Sequence, residues 1–155
     1  MMGRAWTIGS VAWLLALSFR AGAAPQTPAE PKKDAAMRST LAGVYTTTQA
    51  DKGKSAFLNI CVGCHNVGSQ AGQPFAIRWG GRPLSDLYDF LRENMPDDDP
   101  ESVSPAVKLQ IVTYLLRLNG MPAGQDELPG DVDALKKIKI EIPPSHSERS
   151  PWHDE

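Results

Sequence analysis

Two thiols, an imidazole and a thioether are the side chains whose types and spacing point to chemistry. Cys61 and Cys64 are separated only by Val62 and Gly63, and His65 follows at once. In this C-x-x-C-H order both sulfurs can bond a haem as thioethers, and the adjacent imidazole is held beneath the iron by the same short segment. Three other readings compete. Two cysteines in an exported chain ordinarily form a disulfide, and a C-x-x-C pair can also be half of a zinc site or a thioredoxin-like redox motif. Zinc wants more ligands, yet the chain has 2 cysteines in all, and its other histidines, His146 and His153, stand near the end. A thioredoxin-like pair belongs at a strand-to-helix junction of a βαβ pattern, which is absent. The spacing favours the haem.

A haem that carries electrons needs a second axial ligand and a dry apolar cleft. A soft thioether favours reduced iron and raises the potential, which makes methionine the suitable residue. Met95 is the candidate, placed in a loop after a helical segment and braced by Pro96. Met1 and Met2 belong to a leader, Met37 to a linker, and Met121 directly follows a helix, where packing is the commoner role. The alternative for Met95 is that it only fills core space.

The elements that must position these groups follow from pattern. Arg4 and the apolar stretch Ala5 to Phe19, with Ala21-Gly22-Ala23 behind it, read as a signal peptide over residues 1–23, too short to span a bilayer; an uncleaved anchor is the alternative. Residues 24–40, with Pro25, Pro28, Pro31 and Lys32-Lys33-Asp34, read as a linker. A single domain is expected over 41–124, within the usual domain size. Thr46 caps a first helix with Gln49 reciprocating, and Ala50, Gly53, Phe57, Leu58 and Cys61 recur at helical spacing. Asn66 to Pro74 is expected as a loop. Leu84, Leu87, Tyr88 and Leu91 place a second helix over about Pro83 to Glu93. Ser104 and Pro105 start a third, with Val107, Ile111, Tyr114, Leu115 and Leu118 on its apolar face and Asn119-Gly120 as its stop. Residues 125–155 read as a proline-interrupted tail, with a helical turn around Asp131 to Lys137 and an extended Ile138 to Ile142 laid along the surface.

These residues resemble the class I cytochromes c, in particular short bacterial ones linked to quinoprotein dehydrogenases and respiratory oxidases. The matching stretch runs from about Val44 to Gly124 and includes Tyr45-Thr46, Gln49-Ala50, Gly53, Phe57, the Cys61–His65 motif, Trp79 with Gly81-Arg82, Asn94-Met95-Pro96, and Tyr114-Leu115-Leu116 through Asn119-Gly120. The resemblance implies an all-α, cytochrome c-like fold of three to four helices around one covalent haem c, with first and last helices crossing closely at Gly53, Phe57 and Tyr114. It also implies that Pro74, by order, offers its carbonyl to the ligand histidine. Trp79 and Arg82 can reach a haem propionate, since an indole N–H and a guanidinium both suit a carboxylate; an exposed tryptophan and a helix-start arginine are the alternative. The 30-residue step from His65 to Met95 is shorter than in most relatives and leaves a trimmed loop over one haem edge.

The expected function is single-electron transfer in the periplasm rather than enzymatic catalysis. The sequence has no Ser/His/Asp arrangement, no phosphate loop, and no carboxylate pair set for acid–base work. Asp97-Asp98-Asp99 reads as a solvated turn or an element that orients a basic partner. Of 16 basic residues, removal of Arg4 and Arg20 leaves 14 against 18 acidic, a net charge of about −4 that disfavours nucleic acid. The partners implied are redox proteins, a donor dehydrogenase and an acceptor oxidase or another cytochrome, with a membrane involved only if the leader is uncleaved. Two alternatives remain: a dedicated electron-accepting subunit docked through its tail, and a haem-based sensor or peroxidase with a labile sixth ligand.

Overall fold

Residues 37–144 are described by a computed structural model. The expected signal peptide, the linker up to residue 36, and His146, Trp152 and His153 lie outside them.

The described chain is mostly helical. Its two longest helices begin at the caps expected of them. In α1 (Thr47–Ile60) the Thr46 Oγ1 accepts from Gln49 N at 3.2 Å and Gln49 Oε1 accepts from Thr46 N at 3.2 Å, a reciprocal capping box. Another long helix, α4 (Pro105–Leu118), opens on Ser104, whose hydroxyl accepts from Val107 N, and closes on Gly120 at φ +83°. Between them lie α2 (Gln73–Trp79) and α3 (Leu84–Asn94).

The α1–α4 crossing brings two backbones into contact. A Cβ built on Gly53 would stand 1.8 Å from the carbonyl oxygen of Gln110, so at this point one helix backbone rests on the other. Beside it the Phe57 and Tyr114 rings tilt together, centroids 5.4 Å apart. Arg117 then ties α4 back to the first turn of α1 through Asp51 Oδ1 at 2.7 Å and Ala50 O at 3.0 Å.

Two segments read as peripheral belong to the core. Leu128, Leu135, Ile138 and Ile140, all in the stretch expected as a tail, are buried to 2% exposure or less. The turn around Asp131 is a short helix, α5 (Val132–Leu135), capped by Asp131. The extended segment carries β2 (Ile138–Lys139), paired parallel with β1 (Arg38–Ser39) at the end of the presumed linker. Thr40, fully buried, exchanges hydrogen bonds with the backbone of Glu141. On its other side the strand bonds the α2–α3 turn, Gly81 N to Ile140 O at 2.7 Å and Ile140 N to Arg82 O at 2.8 Å. Gln49 binds both backbone groups of Leu128. Such strand pairing is a contact between residues about a hundred positions apart, which periodicity cannot see.

The remaining difference is α2. The interval from Asn66 carries a 3-10 turn at Val67–Gln70, after which Gln73–Trp79 is helical with Pro74 in its first turn. No side chain caps this helix; Asn119 at the end of α4 holds its approach, accepting from Gly72 N at 2.8 Å and donating to Gln70 O at 3.0 Å. Phe75 and Trp79 turn inward and Ile77 outward, an i, i+4 pattern too short to read as a helix from sequence alone.

Candidate functional site

One end of α1 delivers the cysteines. Cys61 caps that helix, its N–H bonding Phe57 O at 2.8 Å, and the chain then coils so that Cys64 N and His65 N both donate to Cys61 O, at 3.1 and 2.8 Å. This single turn carries Cys61, Cys64 and His65 to the wall of one cavity of about 590 Å³, the size of a small-molecule or cofactor site. Met95 enters the same wall from the C-terminal end of α3, where its N–H still bonds Leu91 O at 3.2 Å. Both His65 and Met95 are half-buried, and the Met95-Pro96 peptide is cis.

The wall between them is apolar. Phe57 from α1, Trp79 from α2, Leu87 and Leu91 from α3, and Ile111 and Leu115 from α4 line it. Cys61 is half-buried and Cys64 exposed. Burial, with a smaller contribution from Cys64, pushes the Cys61 thiol up. No cluster of three or more His, Cys, Asp or Glu side chains arranged for a metal ion exists among the described residues, so a zinc site built on this pair finds no further ligands there.

Of the residues singled out by sequence, Cys61, Cys64, His65, Met95 and Trp79 meet on this cavity, whereas Arg82 and Pro74 are not on its wall. Trp79 is buried rather than exposed, stacked obliquely on Phe90 at 5.5 Å. Arg82 is committed elsewhere: it pairs with Asp86 at 2.8 Å, and its guanidinium lies 5.2 Å from the Trp79 ring. The arginine in the wall is its neighbour on α2, Arg78, whose guanidinium lies 4.3 Å from the Phe90 ring and 5.0 Å from that of Trp79. The sequence assigns no element to Phe75 through Trp79, so Arg78 has no face until α2 forms.

Lys108 is the second residue missed. It is 3% exposed, lines the cavity, and is held by two backbone carbonyls. Its signal was present in the sequence: Lys108 stands three before Ile111 and seven before Leu115, on the apolar face of α4. Burial first and then Arg92 lower its pKa, against the opposing pull of Asp99 and Glu101.

Compared with known proteins, the chain matches no family profile, no curated sequence and no solved structure. The functional reading therefore rests on the cavity and the residues in its wall. Their chemistry suits a haem: thiols for attachment, an imidazole and a thioether as donors, apolar sides for the ring, and a cation, Arg78, for a propionate.

Proposed function

We propose that this cavity holds one haem c in a cytochrome c-like fold, bonded through Cys61 and Cys64 and ligated by His65 and Met95, and that the protein carries single electrons between redox proteins in the periplasm. The observation that carries the reading is the convergence of the Cys61–His65 turn and Met95 on one apolar cavity. A haem held there supplies reversible one-electron exchange at its iron. The chain's part is binding and exclusion. The α1 C-terminus sets the imidazole and both sulfurs within one turn, and the walls from Phe57, Leu87, Leu91, Ile111 and Leu115 keep water from the ring, which with a thioether donor favours the reduced state. Arg78 is the residue suited to a propionate, in place of Arg82. His65 and Met95 would together hold the iron and leave it no open site for a substrate, which suits a carrier rather than an enzyme.

Ile60 and Val62, on either side of Cys61, are about 42% and 43% exposed and offer apolar surface that a donor dehydrogenase, an acceptor oxidase or another cytochrome can cover. Residues 125–144 hold core positions and do not serve as a detachable docking tail, which leaves the dedicated-subunit reading only the residues beyond Pro144.

The test is spectroscopic. Protein exported in a host with haem-attachment machinery is expected to give a pyridine haemochrome of the c type, with haem retained through acid–acetone extraction and lost in C61S/C64S. Colourless protein with free thiols or a disulfide at these positions overturns the reading. Carbon monoxide separates carrier from sensor or peroxidase: a His65/Met95 iron resists it, and an immediate Soret shift would favour an open site.

A further inference from the structure

The loop that bears Met95 has little of its own to hold it. From Met95 to the 3-10 turn at Pro100–Ser102 the hydrogen bonds are local: Asp99 N to Asp98 Oδ1, Glu101 N to Asp99 Oδ1, and Ser102 N and Oγ to Asp99 O. Asp97, Asp98 and Asp99 are exposed, and Met95 and Pro96 are half-buried. Among the described residues, the hydrogen bond that ties this loop across to α4 comes from one buried ammonium. Lys108 Nζ donates to Arg92 O at 2.9 Å and to Pro100 O at 2.6 Å. Arg92 lies in the last turn of α3, where carbonyls have no helical partner, and Pro100 opens the 3-10 turn. Met95 sits in the chain between these two carbonyls. Lys108 therefore closes the loop at both ends, from a helix that also supplies Ile111 and Leu115 to the cavity wall.

A buried lysine on an otherwise apolar helix face is costly unless its charge is hydrogen-bonded, and here its partners are neutral carbonyls rather than a carboxylate. Packing alone would be served better by a leucine or methionine at this position. What the ammonium adds is two directional bonds that fix the distance between Arg92 and Pro100.

We propose that Lys108 is a positioning residue for the sixth ligand, holding the 92–100 loop closed so that Met95 is presented to the cavity. This rests on the haem ligation proposed above. Hydrogen bonds from charged groups are each strong enough that losing them shifts a loop equilibrium by roughly tenfold to a hundredfold. In the oxidised holoprotein, K108M is expected to weaken or abolish the near-infrared sulfur-to-iron band while covalent haem content stays at one per chain. In the ferrous form, carbon monoxide is expected to bind roughly tenfold to a hundredfold faster than in wild type. L109A, at a buried neighbour on α4 whose side chain cannot hydrogen-bond either carbonyl, controls for simple destabilisation and should keep the band.

If K108M yields no folded holoprotein, K108Q decides by the same two readouts, since its shorter neutral amide can satisfy one carbonyl but not span both. Retention of the band and of resistance to carbon monoxide in the variant that folds overturns the positioning role. Loss of the band in L109A as well would overturn it too, because ordinary destabilisation would then account for the effect. A wild-type protein that lacks the band contradicts instead the ligation by Met95, which keeps the two failures distinct.

Discussion

The α1–α4 crossing and the Met95 loop are built by opposite means. At the crossing, backbone lies against backbone at Gly53 and Gln110, aromatic rings interlock, and hydrogen bonds reach across 66 and 67 positions of sequence. In the loop the bonds are between near neighbours, the side chains are half-buried or exposed, and one lysine supplies the link to the scaffold. The difference teaches a division of labour. Cys61 and His65 follow directly on α1, the helix that makes the crossing, so their placement is inherited from it, whereas Met95 is presented by a segment whose stability is borrowed from elsewhere.

The strongest way to break the comparison is G53A. Its Cβ meets the Gln110 carbonyl at 1.8 Å, so the helices must part; thermal or denaturant unfolding should show a loss of about 3 kcal/mol or more, and holoprotein yield should fall. A loss below about 1 kcal/mol would mean that the crossing is softer than its geometry implies. Next in size is I140A, which asks whether the strand after α5 belongs with the crossing or with the loop. Full burial of Ile140 leads us to expect a cost of about 2–4 kcal/mol by the same measurement, whereas a surface strap would lose almost nothing.

A smaller effect sharpens the comparison by pH. The Tyr45 hydroxyl donates to Met121 O at 2.6 Å within the core, and burial pushes its pKa up to about 12. An exposed tyrosine in the unfolded chain ionises near the ordinary value of 10.0, so the unfolded state releases this proton first. The stabilisation is thus fully present below pH 10 and is lost as pH rises through about 12. Denaturant midpoints of wild type should fall over that window, and Y45F should flatten this part of the decline. The smallest expected effect is R82Q. Its ion pair with Asp86 is half-exposed, so stability should change by no more than about 0.5 kcal/mol. If the cavity holds a haem as proposed, R78Q at its wall should shift the midpoint potential while R82Q leaves it in place; the reverse result would assign the propionate to Arg82.

Much of the scaffold was legible in the sequence because its signals are local. The Thr46–Gln49 capping box, the Ser104-Pro105 start, the Asn119-Gly120 stop and the Leu84–Leu91 face each lie within a few residues, and the structure shows every one of them. The burial of the segment after Gly124 was hidden for the converse reason. Arg38–Ser39 and Ile138–Lys139 are too short to signal a strand alone and become one only by pairing with each other.

By itself the sequence determined the chemistry on offer: two thiols and an imidazole within five residues, a thioether braced by Pro96 in the loop after a helix, and the helices that carry them. Tertiary structure alone decided which side chains share the cavity. It turned Trp79 inward, brought Arg78 rather than Arg82 to the wall, and drew Lys108 beneath the Met95 loop. Ligand type and helical period are properties of neighbouring residues, whereas a wall is assembled from elements that the chain brings together only by folding.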